Sequence, residues 1–216
     1  MQRRVRAGFF IAVPGVVAVV LAAGRSSRTG DRHKLLATDA SGQTMIARTL
    51  TQITASKVSG ICVVVPDIAG LVAQASERVP EPMVGVRFAI RQSADVSQGL
   101  SMSLRAGIAC ARDWQADGAV ICPGDMPLIR SAMIDALVDC HAATGADVVV
   151  PECDGRIGNP VLWDARRFGV LMALRGDEGA RKLLRLPDIR RASVAADASI
   201  FVDFDTPEAL DRFSGL

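Results

Sequence analysis

Tyrosine is absent from this chain, and aromatic residues make up only 4% of its 216 residues. Any core must therefore be aliphatic, built from Val, Ile, Leu and Ala. An excess of one charge is also missing. Lys and Arg total 25 against 23 Asp and Glu, a net charge of +2, and the basic residues form no stripe. That argues against a nucleic-acid partner. Paired cysteines are missing too. Cys62, Cys110, Cys122, Cys140 and Cys153 are odd in number and far apart, with no C-x-x-C spacing. A zinc site or disulfide framework is excluded, and reduced thiols acting as small buried hydrophobes fit a cytoplasmic protein. No apolar stretch is long and clean enough for a membrane span. Histidine is scarce: His33 reads as a loop residue and His141 as structural.

What is present is a globular composition, half hydrophobic and 22% charged. Near the start, Arg3, Arg4 and Arg6 precede an apolar run over 9–23, which resembles a secretory signal. Pro14 and Gly15 interrupt the run, however, and 16–21 suits the first buried strand of a parallel sheet. Residues 1–15 are read as an N-terminal extension and 16–216 as one domain, without repeats or linkers.

Strand and helix signals alternate. Strands are expected over 16–21, 61–65, 84–90, 119–122, 147–150, 161–163 and 200–203. Helices are expected over 44–53, 68–75, 100–110, 131–141, 164–174 and 176–184, with a final one opened by Thr206 as N-cap and Pro207 in the first turn. This order predicts a three-layer α/β/α, Rossmann-like, mainly parallel sheet, with ligands at the carboxyl ends of its strands.

Two loops fall on that rim. The first follows the run over 16–21: small residues Ala22, Ala23 and Gly24, then Arg25, Arg28, Gly30 and Lys34. Small residues let backbone N–H groups approach a ligand, and the cations suit an anion. It is neither a Walker A loop, since Asp31 follows Gly30, nor G-x-G-x-x-G. A tight turn with solvated arginines and a phosphate loop both remain open on residue types alone. The second is Pro123-Gly124-Asp125, an aspartate braced by prolines that suits a hard cation such as Mg²⁺ or caps its own turn. Asp203 and Asp205 form a further acidic pair. Two acidic loops facing a cationic one would make a site for a metal-bound polyphosphate.

Leu21-Ala22-Ala23-Gly24-x-x-x-Arg28-x-Gly30-x-x-x-Lys34 resembles the signature of the MobA-like nucleotidyltransferases. The segments Gly99-Leu100-Ser101-x-Ser103-Leu104-Arg105, Gly124-Asp125-Met126-Pro127, Gly158-Asn159-Pro160-Val161-Leu162, Gly176-Asp177-x-Gly179-Ala180-Arg181 and Asp203-x-Asp205-Thr206-Pro207 are similar to their molybdenum cofactor cytidylyltransferase branch.

The resemblance implies the nucleotide-diphospho-sugar transferase type of fold and transfer of CMP from CTP to the phosphate of molybdopterin, with release of pyrophosphate. It implies that Arg28 and Lys34 hold the triphosphate and that Asp125 and Asp205 hold Mg²⁺, so that Arg28, Lys34 and Asp125 carry catalysis. Leu21, Ala22, Ala23, Gly24, Arg25, Gln92, Ser93 and Gly99 would complete the nucleotide site. Ser101, Ser103, Arg105, Gly158, Asn159 and Pro160 would lie on the acceptor side. Guanylyltransferases of the superfamily usually carry Gly where Ala23 stands, and the methyl favours a pyrimidine. The chain departs from the family at Thr29, where Met is usual, and at Ser93, where Asn is frequent; Gln92 is a candidate substitute. A recipient molybdoenzyme or its chaperone is an expected partner. Three alternatives stay open: guanylyl transfer to molybdopterin, cytidylyl transfer to a sugar or polyol phosphate, and a non-catalytic cofactor carrier. The Gly-Asn-Pro and Gly-Asp-x-Gly-Ala-Arg segments point away from polyol phosphates.

Overall fold

Residue 17 packs to one side of the sheet and residue 18 to the other, and this alternation along the first strand sets the layers. A computed structural model describes residues 15–24, 33–77, 85–93, 99–176 and 179–216. Strand β1 (Val16–Leu21) is buried along almost its whole length. Ala18 and Val20 face one hydrophobic cluster, while Val17 and Val19 face another. A strand covered on both faces has no polar side to present, which is why it reads as a continuous apolar run.

The strands that follow are β2 (Gly60–Val65), β3 (Arg87–Gln92), β4 (Gly118–Pro123), β5 (Val148–Cys153), β6 (Arg156–Ile157), β7 (Val161–Asp164) and β8 (Arg191–Ala195). Their order is β3-β2-β1-β4-β7-β5-β6, with β8 paired to β5. The pairs β1–β2, β1–β4, β2–β3 and β5–β8 are parallel, whereas β7 runs antiparallel to both β4 and β5.

The helices are α1 (Met45–Thr54), α2 (Leu71–Glu77), α3 (Leu100–Asp113), α4 (Ser131–Thr144), α5 (Phe168–Ala173) and α6 (Pro207–Ser214). Residues of α1, α2 and α4 pack with Ala18 and Val20. Residues of α3 and α5 pack with Val17 and Val19 on the other face. Each buried aliphatic side chain contributes about 1.5–3 kcal/mol, so two aliphatic layers stand in for aromatic bulk. Thr44 caps α1 by accepting from the Ala47 N–H, and Thr206 caps α6 by accepting from the Ala209 N–H.

Several expectations need correction. Residues 198–201 form a 3₁₀ turn rather than a late strand, and the strand at this end of the chain is β8 (Arg191–Ala195). Its side chains alternate between exposed and half-buried at an outer position, so it lacks the apolar run used to find the others. The helix expected over 68–75 begins at Leu71, and both Ile68 and Leu71 are exposed. The helix expected over 164–174 begins as a 3₁₀ turn, Ala165–Arg167, and only then becomes α5. The one expected over 176–184 is the 3₁₀ segment Ala180–Arg185. Residues 1–14 of the extension expected over 1–15, and the start of β3 at Val84, lie outside the described residues.

Cys62, Cys110 and Cys122 are buried and all five cysteines are free thiols. His141 pairs with Asp164 at 2.9 Å, at the amino-terminal rim of β4. Among the described residues no helix is long and apolar enough to cross a membrane.

Candidate active site

The carboxyl ends of β1 and β4 are neighbours: Leu21 stands in register with Pro123. Beyond them the chain turns away on both strands. The Gly124 N–H donates to the Leu21 carbonyl at 2.9 Å, and the Ala22 N–H donates to the Val64 carbonyl at 2.8 Å. A Cβ on Gly124 would fall 3.0 Å from Ile46 Cδ1 and 3.1 Å from the Leu21 oxygen. Glycine therefore allows the β4 loop to lie against β1 and aims Asp125 at the rim.

Lys34 opens a short 3₁₀ turn, Lys34–Leu36, that closes onto α1 through the Met45 N–H, which donates to the Ala37 carbonyl. Its ammonium donates to Asp125 Oδ2 and, at 2.5 Å, to Asp205 Oδ1. Asp203 and Asp205 flank Phe204, which is buried with Met45, Ala209, Leu210 and Phe213. The Phe204 and Phe213 rings meet edge to face at 5.5 Å. With Phe204 held in this small core, its two acidic neighbours stay at the surface.

Carboxylate oxygens of Asp125, Asp203 and Asp205 lie within 4.8 Å of one another. Three hard oxygen donors so close together fit a divalent cation, since Mg²⁺ sites commonly combine one or two carboxylates with substrate phosphates. Burial, followed by the adjacent Asp205 carboxylate, pushes the Asp203 carboxyl above the usual carboxylate range. For Lys34, burial alone would lower the pKa. Asp125 and Asp205 outweigh that effect and hold the ammonium above its ordinary value.

A cavity of about 320 Å³ opens beside this cluster. Leu21, Ala23, Gly24, Lys34 and Asp125, from the carboxyl-end loops of β1 and β4 and the Lys34 turn, are part of its lining. Leu100, Leu104, Ile157, Val161, Trp163 and Leu184 form an apolar wall. Ser103, Asn159 and Arg181 supply its polar groups, and Arg181 donates to the Ile157 carbonyl. The loop after β6 reaches the cavity through Gly158 and Asn159.

The expected site residues divide accordingly. Leu21, Ala23, Gly24, Lys34, Asp125, Ser103, Gly158 and Asn159 meet at one cavity, with Asp205 joined to it through Lys34. Ala22, Gln92, Ser93, Gly99, Ser101, Arg105 and Pro160 are not part of the lining. The Ala22 N–H already donates to the Val64 carbonyl, and the Leu21 carbonyl accepts from the Gly124 N–H. Gln92 is exposed at the end of β3. Ser93 is buried and accepts a 3.3 Å bond from Ser103, so it stands behind the lining. The Ser101 N–H donates to the Gly176 carbonyl at 3.1 Å. Pro160 follows Asn159 through a cis peptide bond. Arg25, Arg28 and Gly30 lie outside the described residues.

Arg181 ends a quoted motif but has no role assigned along the chain, and Trp163 reads as a packing residue near the expected acceptor loop. Asp203 reads as an acidic partner but not as a ligand. The apolar wall carried no signal, because its members look like ordinary core residues along the chain.

Residues 18–195 match the family described as MobA-like NTP transferase domain. The chain is 28% identical over 200 residues to the purine catabolism protein PucB of Bacillus subtilis (strain 168), covering 92% of this chain and 95% of that one. Among solved structures it is similar to a Mycobacterium sp. strain JC1 homologue of Mycobacterium tuberculosis Rv0371c, at 27% identity and a TM-score of 0.72, covering 91% and 93% of the two chains. It is also similar to a nucleotidyl transferase from Methanothermobacter thermautotrophicus, at 25% identity and a TM-score of 0.72, covering 93% and 96%. The fold is of the nucleotide-diphospho-sugar transferase type.

Proposed function

The chain belongs to the MobA-like NTP transferase family, a family of nucleotidyltransferases, and we propose that it transfers CMP from CTP to the phosphate of molybdopterin. The observation that carries this reading is a cavity beside the ammonium and carboxylate cluster. Lys34 and Asp125 line it and join it to Asp203 and Asp205, a group suited to a metal-bound triphosphate. The lining also includes Leu100, Leu104, Ile157, Val161, Trp163 and Leu184, with a few polar groups. A fused heterocycle uses such a wall, whereas a sugar or polyol phosphate would bury hydroxyls against it without partners.

In this reading an oxygen of the acceptor phosphate attacks the α-phosphorus of CTP. One P–O bond forms, the α–β phosphoanhydride breaks, and pyrophosphate leaves. The acceptor oxygen is already anionic, so no general base is required. Rate then comes from alignment and charge neutralisation. Lys34, with Arg28 as expected from the signature, holds the β- and γ-phosphates and stabilises the leaving group. Asp125 and Asp205, joined by Asp203, hold a divalent cation, taken as Mg²⁺, which supplies positive charge at the phosphates. Asn159, Ser103 and Arg181 orient the acceptor. The Ala23 methyl, in the lining of the cavity, narrows the space for the base and supports CTP over GTP.

The test is incubation with Mg²⁺, molybdopterin and each NTP in turn, with products identified by mass. Molybdopterin cytosine dinucleotide with CTP is the expected result. A product with GTP alone would move the reading to guanylyl transfer, and bound cofactor without any product would make the protein a carrier.

A further inference from the structure

The carboxylate cluster already contains a cation of the protein's own. Lys34 Nζ lies between Asp125 and Asp205 and donates to both. Its side chain is 15% exposed, against 21% and 25% for the two aspartates, so little water screens the group. A divalent ion bound by these carboxylates would share the negative charge the ammonium now neutralises, and the two cations would repel each other at that range. The backbone of Lys34 is fixed: its carbonyl accepts from the Ala37 N–H at 3.2 Å. The ammonium rides on a flexible four-carbon stem and can move while the turn stays in place. Ala23 and Gly24 line the same cavity as Lys34, so an anion seated against them lies in the cavity the stem already borders.

We propose that Lys34 is an internal counter-ion that holds the cation position of the nucleotide-free site, so that a metal and a triphosphate each displace it more readily when the other enters with it. Metal alone must compete with the ammonium. Triphosphate alone must draw the ammonium off two carboxylates that are then left facing each other. Together they exchange partners: the ammonium goes to phosphate and the carboxylates go to metal. By linkage, triphosphate raises metal affinity by the factor by which metal raises triphosphate affinity. The inference rests on the reading of Asp125, Asp203 and Asp205 as the metal site. It does not depend on which nucleotide or acceptor is used.

The experiment titrates the nucleotide-free protein with Mn²⁺ and follows free ion by electron paramagnetic resonance. Wild type is compared with Lys34→Met, Lys34→Gln and Lys34→Arg, each checked for folding by circular dichroism. Lys34→Gln serves in place of Lys34→Met if the latter does not fold. Mn²⁺ is expected to bind at least tenfold more tightly to Lys34→Met or Lys34→Gln than to wild type, while Lys34→Arg, which keeps the charge, stays near wild type. Adding Asp125→Asn to Lys34→Met should abolish the gain. Equal or weaker Mn²⁺ binding by Lys34→Met and Lys34→Gln, with measurable binding in wild type, overturns the counter-ion role while leaving the metal site standing. No binding to any variant at millimolar Mn²⁺ overturns the metal assignment and the counter-ion role with it. Failure of the CTP reaction with the Mn²⁺ contrast intact would sink only the substrate reading.

Discussion

Lys34 and Asp205 stand 171 residues apart in the chain, yet Lys34 Nζ lies 2.5 Å from Asp205 Oδ1. Their meeting is arranged by apolar residues beside them. Met45, whose N–H closes the Lys34 turn through Ala37, is buried in the same small cluster as Phe204, the neighbour of Asp205. The last helix, through Leu210 and Phe213, completes that cluster. The far end of the chain thus brings a carboxylate to a lysine near its beginning, and Asp125 from the β4 loop joins them.

This arrangement makes the three aspartates unequal. Asp125 and Asp205 both engage Lys34, whereas Asp203 is the exposed member and its carboxyl is pushed up by burial and by Asp205. Asp125→Asn and Asp205→Asn are each expected to lower CTP-dependent pyrophosphate release about 100-fold or more, the scale of losing an aimed electrostatic group at a phosphoryl centre. Asp203→Asn is expected to cost less. Circular dichroism should show all three folded. Near wild-type turnover in both Asp125→Asn and Asp205→Asn would remove the mechanism.

Asp39 offers a prediction about stability alone. Hydrogen bonds from Ser41 (Oγ at 2.6 Å and N–H at 2.9 Å), Gln43 N–H and Arg48 converge on its carboxylate, and they lower its pKa from 3.8 to about 2. The folded value lies below the unfolded one, so the stabilisation is complete above about pH 4 and fades as pH falls towards 2. Asp39→Ala is expected to lose about 1–3 kcal/mol at neutral pH, because it leaves partly buried donors unpaired. In urea unfolding at stepped pH, the gap between wild type and variant should narrow between pH 4 and 2. A gap constant across that range contradicts the assignment.

How much of this was legible in the sequence depends on the kind of signal. Runs such as 60–65 and 118–123 are buried on both faces, so their apolar character alone located them. Strand β8 was missed because only alternate residues are half-buried, and 200–203 was taken instead. At the site, Lys34 and Asp125 were legible because charged residues just beyond buried strands stand out. The link between Lys34 and Asp205 was not, because it depends on Phe204 packing with Met45 and Phe213, a contact with no periodicity along the chain. Ser93 and Gln92 were weighed as alternatives for one role, and the structure places one behind Ser103 and the other in solvent.

Gly158 and Ile200 form another link between distant segments. A Cβ at Gly158 would fall 2.7 Å from Ile200 Cδ1 and Cγ1. Arg156, two residues earlier, stacks over the Phe201 ring at 4.3 Å. The Gly158 loop therefore rests on the 3₁₀ turn that leads into Asp203 and Asp205. Gly158→Ala is expected to cost about 1–3 kcal/mol through overpacking and to raise KM for the acceptor more than KM for CTP. Ile200→Ala in the Gly158→Ala background should recover part of that stability. Steady-state kinetics and thermal melts of the single and double variants check both statements, and strictly additive losses would show that the two residues do not interact.

Ala23 tests the choice of base. It is 6% exposed, lines the cavity at the end of β1, and follows Ala22, whose N–H is already engaged by Val64. The methyl lets this position discriminate by shape. A single methyl in a pocket is worth about 1–3 kcal/mol, or roughly 10- to 200-fold. Ala23→Gly is therefore expected to lower the ratio of kcat/KM for CTP over GTP by about tenfold, mainly through better use of GTP rather than poorer use of CTP. The direction matters as much as the size. If CTP use falls and GTP use does not rise, the methyl shapes the β1 turn instead of selecting the base. An unchanged ratio would mean that the pyrimidine is chosen by residues elsewhere along the rim.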